Sequence, residues 1–369
     1  MAVPENLIPA FNRDKVPTPG DGDTQTFTAR CHCQSVQFSV TLPKSILPLN
    51  AYICCCGICR LTHGSFGSFH ITLPLGFGPE WTNGKINYSV YKTPGGTGQR
   101  FFCSTCGAHS GHYEPWINQW VLPASLFDQK FWEFNHYAFP KAARDGGILS
   151  WLPEVAGKEL TQVTFEHDQP PEYTLETGAD GEERLRAECH CGGVSFTIPR
   201  PSKAILEDEY MKMYVSPKDP KKWKAFLDFC RDCRVLSGAH FIPWIMVPRV
   251  VLEPEMPADL RLGTMKTYAS SGWNTRGFCG VCGATVALRN KSRMPTDQQM
   301  VLNIAMGILR APEGVRAENW VTWRTGAPAF AGPEDTATKF DPEFVKAAVE
   351  GHRKWGVETH GEAIDFPVI

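Results

Sequence analysis

Apolar and polar residues alternate along this chain in short bursts. VQFSVTL at 36–42 and VSFTI at 194–198 place Val, Phe and Val or Ile on one face and Gln, Ser or Thr on the other. That period of two is the pattern of a half-buried strand. KINYSVYK at 85–92, KTYAS at 266–270 and MVLNIAMGIL at 300–309 are further strand candidates. Near the end the pattern changes. In DPEFVKAAVEGHRKWG, Asp341 is placed to cap a helix and Pro342 to occupy its first position. The expected fold class is mainly β, with short helices and a C-terminal helix.

The chain has 369 residues, enough for two ordinary domains with their own cores. Its 33 glycines and 29 prolines add many turns to the strands. Net charge is −2, with no long run of one sign, which argues against a nucleic-acid or anionic-membrane surface. The first residues lack a basic segment followed by an apolar run, so no secretory signal is expected. No stretch of about 18 uninterrupted apolar residues predicts a membrane span. A cytoplasmic or nuclear setting follows, where 14 cysteines point to metal ligands rather than disulfides.

The cysteines repeat. CHCQSVQFSV at 31–40 returns as CHCGGVSFTI at 189–198, an offset of 158 residues. Cys54, Cys56 and Cys59 precede a second group, Cys230 and Cys233, at an offset of 174. Cys103 and Cys106 return as Cys279 and Cys282 at an offset of 176. The flanks repeat too: CRLTHGSF answers CRVLSGAHF, and RFFCSTCGA answers RGFCGVCGA. Cys55 alone lies outside the scheme. A tandem duplication explains this. The expected division is an N-terminal extension (1–26), a first zinc domain (27–166), an acidic Pro/Gly-rich linker (167–184), a second zinc domain (185–332) and a C-terminal tail (333–369).

Each spacing has a chemical meaning. Cys-x-Cys on a strand, bent at its end, brings two thiolates to one side. Phe-Cys-x-x-Cys-Gly turns tightly round a metal, and Gly107 and Gly283 tolerate the backbone angles of that turn. Cys31, Cys33, Cys103 and Cys106 thus make one four-thiolate zinc site, and Cys189, Cys191, Cys279 and Cys282 another. Such sites are coordinatively full and structural. Cys54, Cys56 and Cys59 give three thiolates with no evident fourth, the arrangement of a catalytic zinc with an open position. In the second copy Asp228 stands where the first of these cysteines should be, beside Cys230 and Cys233. Two readings stand side by side: a carboxylate-ligated, more Lewis-acidic zinc, or a decayed site holding none.

Cys-x-Cys, then Cys-x-Cys-x-x-Cys, then Arg-x-Phe-Cys-x-x-Cys-Gly resembles the GFA/centromere protein V family, named for the glutathione-dependent formaldehyde-activating enzyme. The resemblance covers about 27–155 and 185–328. It implies a zinc-bound β-tent fold in tandem, structural zinc at each four-thiolate site, and catalytic zinc at Cys54, Cys56 and Cys59. It also implies carbon–sulfur lyase chemistry with glutathione as a co-substrate. Gln34 departs from the family's usual glycine, which Gly192 keeps, and Asp228 departs from its cysteine.

His63 and Arg60 are the candidate catalytic residues. His63 follows the triplet and suits acid–base work near neutral pH. Arg60, like Arg234, suits either a substrate carboxylate or support of the thiolates. Arg100 and Arg276 are expected against the four-thiolate clip. His32 and His190 are expected to point away from it in structural roles. His136 and Trp151 are read as structural, and Trp116, Trp120, Trp132, Trp244, Trp320 and Trp323 as core before pocket. The leading function is zinc-dependent carbon–sulfur chemistry on a small molecule. The rivals are a zinc-stabilised module that binds a protein partner, and zinc or thiol buffering.

Overall fold

Both repeats build the same sheet. In the computed structural model, which describes residues 9–17, 22–82, 87–94, 98–166 and 168–368, the first repeat lays down eight strands among the described residues. Their order is Thr161–Val163, Trp132–Ala138, Leu49–Cys54, Ser68–Thr72, Gln119–Pro123, His109–Glu114, Gln99–Cys103 and Tyr88–Lys92. The second lays down seven, in the order Val321–Trp323, Trp223–Asp228, Ile242–Pro248, Val301–Ala305, Thr285–Asn290, Asn274–Cys279 and Met265–Ala269. The two lists match strand for strand once Thr161–Val163 is set aside. Neighbours are antiparallel, except that Trp132–Ala138 runs parallel to both its neighbours and Val321–Trp323 parallel to Trp223–Asp228. A three-stranded sheet accompanies each: Thr24–Arg30, Gln37–Pro43 and Glu80–Trp81, then Glu176–Thr177, Glu183–Glu188 and Ser195–Pro199.

The strand predictions land with local shifts. VQFSVTL, VSFTI and KTYAS become Gln37–Pro43, Ser195–Pro199 and Met265–Ala269. KINYSVYK keeps only Tyr88–Lys92, and its first two residues lie outside the described ones. MVLNIAMGIL is a strand only over Val301–Ala305, because a 3-10 turn follows at Met306–Ile308. The N-terminal extension is described at 9–17 and 22–26 and already enters a strand at Thr24. The acidic stretch from 168 contributes the short strand Glu176–Thr177. The C-terminal helix is Pro342–His360, and the Asp341 side chain accepts from Phe344 N–H. Its inner face buries Phe344, Val345, Ala348, His352 and Trp355.

The Cys-x-Cys pairs do not sit on strands. Cys31–Cys33 occupies the turn between Thr24–Arg30 and Gln37–Pro43, closed by Gln34 N–H on the Cys31 carbonyl at 3.0 Å. Gly192 N–H closes the second turn on Cys189 at 3.1 Å. Both turns need a left-handed residue: Gln34 has φ 64° and Gly192 φ 73°. Glycine adopts this freely, whereas a side chain costs about 1–2 kcal/mol.

The repeats face each other about a pseudo-two-fold relation, and their contacts come in exchanged pairs. His32 of the first bonds the Tyr268 hydroxyl of the second at 2.8 Å, and His190 of the second bonds Tyr91 of the first at 2.6 Å. A Cβ on Gly107 would stand 2.5 Å from the Phe278 ring, and one on Gly283 2.7 Å from Phe102. Thus each clip glycine admits the other repeat's aromatic ring. One apolar cluster runs through both repeats, from Phe27, Phe69 and Trp132 to Phe241, Ile304 and Trp323. Trp132, Trp244, Trp320 and Trp323 are fully buried core, while Trp116 is 40% exposed.

Gln34→Gly should raise stability by about 1 kcal/mol by releasing left-handed strain. Denaturant unfolding of the zinc-loaded chain measures it. A loss instead would mean that the Gln34 side chain stabilises the turn by more than its backbone costs.

Candidate metal centres

The four cysteines Cys31, Cys33, Cys103 and Cys106 present sulfurs that all lie within 4.8 Å of one another, as do Cys189, Cys191, Cys279 and Cys282. Cys33 Sγ is 3.5 Å from both Cys31 and Cys103. Cys191 Sγ is 3.6 Å from Cys189 and 3.5 Å from Cys279. A disulfide needs about 2.05 Å, whereas a tetrahedral zinc with Zn–S near 2.3 Å separates its sulfurs by about 3.8 Å. The donor sets fit zinc. Backbone N–H groups donate to these sulfurs, Val36 to Cys31 at 3.3 Å and Val194 to Cys189 at 3.3 Å. Such donors temper the charge that four thiolates accumulate.

The triplets are built by a strand running into a helix. Cys54 ends the strand Leu49–Cys54. Cys56 caps the helix Gly57–His63, its sulfur accepting from Cys59 N–H at 3.4 Å. Asp228 ends Trp223–Asp228, and Cys230 caps Arg231–Ser237, again with a 3.4 Å bond from Cys233 N–H. The donor atoms of each triplet lie within 4.8 Å of one another. Helix N-termini favour the thiolate form. A guanidinium reaches the last cysteine in each: the half-buried Arg100 to Cys59 Sγ at 3.4 Å and the buried Arg276 to Cys233 Sγ at 3.3 Å. The companion thiols Cys54 and Cys56 and then Arg100 hold Cys59 well below the usual thiol range. Burial opposes the charge on Arg100 and Arg276, but the neighbouring cysteine thiolates outweigh it and keep both arginines charged.

A family profile described as glutathione-dependent formaldehyde-activating enzyme (GFA) matches residues 26–138 and 211–324. The chain belongs to the GFA family, in two copies. None of the curated proteins and none of the solved structures compared with it matches. The second GFA match opens at residue 211, beyond Cys189 and Cys191; the structure brings that pair to Cys279 and Cys282, as the repeat predicts. No described helix is long and apolar enough to cross a membrane.

The two GFA triplets differ in their surroundings. Around the first, Phe11 of the N-terminal segment packs in one cluster with Tyr52, Cys54, Cys59, Ile117, Val121 and Ala138. Asn12 fixes that segment, its amide donating to Asn50 O at 2.9 Å and Thr72 O at 2.8 Å. Around the second opens a cleft of about 510 Å³ whose lining includes Asp228, Cys230, Cys233, Arg276, Arg293 and Asn303. Asp228 is held by Cys230 N–H at 2.8 Å and the Trp244 indole N–H at 3.1 Å, with Cys233 Sγ 3.2 Å from the same oxygen as the indole. Burial pushes the Asp228 carboxyl above its usual range.

Arg100 and Arg276 were expected at the clips; their strands do end at the clip cysteines Cys103 and Cys279, but the long side chains reach the triplet sulfurs Cys59 and Cys233 instead. Of the candidate catalytic pair, His63 is 2% exposed and donates from Nδ1 to Ser237 O at 2.7 Å, across the repeat boundary. Burial, then His109 and His70, keep it well below the usual histidine range and so uncharged. Arg60 is 1% exposed and lines a crevice between the repeats with Ala142, Leu309 and Ala311. Its counterpart Arg234 stacks over Phe340 at 3.7 Å and donates to Ser125 O. His32 also reaches Asp232 at 3.1 Å. His136 stacks on Tyr52 at 5.0 Å, Trp151 is 2% exposed, and Cys55 is 1% exposed in the core.

A histidine group went unread in the sequence. His63 stacks on His109 at 4.1 Å and meets His70 at 5.7 Å, and His70 meets His112 at 5.3 Å. His70 Nε2 lies 3.7 Å from Cys59 Sγ. At the offsets of 174 and 176, the second repeat has Ser237, Trp244, Thr285 and Leu288. Aligning the repeats beyond their cysteines would have shown the substitution.

Replacing Asp228 by Cys should convert the second triplet into the first. In the cobalt-loaded chain the sulfur-to-cobalt charge-transfer band should gain about one thiolate's intensity. An unchanged band would mean that position 228 does not face the metal.

Proposed function

We propose that this chain makes or breaks a carbon–sulfur bond in a small thiol adduct or carbonyl compound, with zinc held at Asp228, Cys230 and Cys233. The observation that carries the reading is a three-donor set opening on a cleft of about 510 Å³. A zinc ion there supplies a Lewis-acidic centre for a thiolate or a carbonyl oxygen. The residues do the rest. Trp244 and Cys230 N–H fix the carboxylate of Asp228, and Arg276 fixes and polarises the Cys233 sulfur. One carboxylate in place of a thiolate leaves the centre more electrophilic than three thiolates would.

A second reading is favoured for the first repeat. Phe11 packs with Cys54 and Cys59, whereas Asp228 and Cys233, equally buried, line the cleft. A zinc on Cys54, Cys56 and Cys59 then has a stabilising role, like the clips, and this half serves as a zinc-stabilised module that walls the other. Glutathione and formaldehyde come to this chain as candidate substrates through its family.

The test is NMR exchange of formaldehyde with glutathione and with 2-mercaptoethanol. Cys230→Ser should cut the catalysed exchange at least 100-fold while leaving the fold intact. Cys56→Ser should change it less than threefold and lower the unfolding midpoint. Exchange unaffected by Cys230→Ser but lost in Cys56→Ser would move the chemistry to the first repeat.

A further inference from the structure

The cleft beside Asp228 has a polar lining that metal binding does not use. Asn303 is 1% exposed, and its Nδ2 has no hydrogen-bond partner. Its Oδ1 is taken by a terminal nitrogen of Arg293, itself 6% exposed. That bond fixes which way the amide points, so the orphan is a donor. A buried donor left unpaired costs about 1–3 kcal/mol. Arg276, 6% exposed, donates to Ser270 and Cys233, and among the described residues no ion pair joins it to a carboxylate. Arg276, Leu288 and Asn303 are cross-strand partners in one row of the sheet. The same row in the first repeat pairs His112 with Val121, and Val121 is packed with Phe11. The second repeat has therefore exchanged an apolar, filled position for a buried amide in the wall of the cleft. The cleft also has an apolar side, from Leu288, Phe330 and Val368. Phe330 is 57% exposed. Its volume of about 510 Å³ suits a small organic ligand.

We propose that this cleft binds an organic carboxylate with a short hydrocarbon tail. The carboxylate accepts from Asn303 Nδ2 and lies in the field of Arg293 and Arg276, and the tail runs along Leu288, Phe330 and Val368. The proposal deepens the function reading, on which it rests for placing reactive chemistry beside this pocket; the binding itself does not require it.

Hexanoate, hexanol and acetate, each titrated calorimetrically into the zinc-loaded full chain, test it. Hexanoate should bind saturably at one site, and hexanol and acetate at least tenfold more weakly. Asn303→Val, which installs the first repeat's residue, should weaken hexanoate at least tenfold at unchanged zinc content. If that variant does not fold, Arg293→Gln is the substitute, with the same expected loss. Hexanol binding as tightly as hexanoate, or hexanoate binding unchanged in the folded variant, would overturn the proposal. Native mass spectrometry separates the two claims. Hexanoate bound without zinc at Asp228 upholds the cleft and sinks the metal reading. Zinc bound there without hexanoate sinks only the cleft.

Discussion

The rest of the molecule depends on the close approach of four sulfurs at each clip. Four thiolates held about 3.5 Å apart are tolerable only if a cation neutralises them. That demand fixes a hairpin turn against a strand end, and with it the residue between the two turn cysteines. His32 and His190 are those residues, and each reaches a tyrosine of the opposite repeat. The glycine closing each clip admits the opposite phenylalanine. The metal clips thus set the interface between the repeats, and one core runs through both. Duplication has produced the internal equivalent of a symmetric dimer.

Symmetry at the clips leaves the triplets free to differ. Both keep the strand, the capping cysteine and the arginine on the last sulfur. The first repeat adds buried histidines and packs Phe11 beside its thiols. The second substitutes a carboxylate, ties it to an indole N–H and opens a cleft. Fold and scaffold are shared while the sites have diverged, as expected when function is carried by side chains grafted on a common frame.

Much of this was legible in the cysteines. Their spacing within each repeat named the family, and Pro342 behind Asp341 marked the last helix. Misses came where the chain folds back on itself. The Cys-x-Cys pair was read as strand because its flanks alternate, but Gln34 in a left-handed conformation makes it a turn. Arg100 was assigned to its sequence neighbours Cys103 and Cys106, although its side chain contacts Cys59, in the helix Gly57–His63. Asn303 and Arg293 carry no motif; only the loss of Val121's apolar character between aligned repeats marks them.

Counting zinc per folded chain by native mass spectrometry, on protein purified without added metal, tests the central claim most directly. Four ions are predicted, two at the clips and one at each triplet. Three ions, with the count unchanged by Asp228→Ala, or only two, would contradict it.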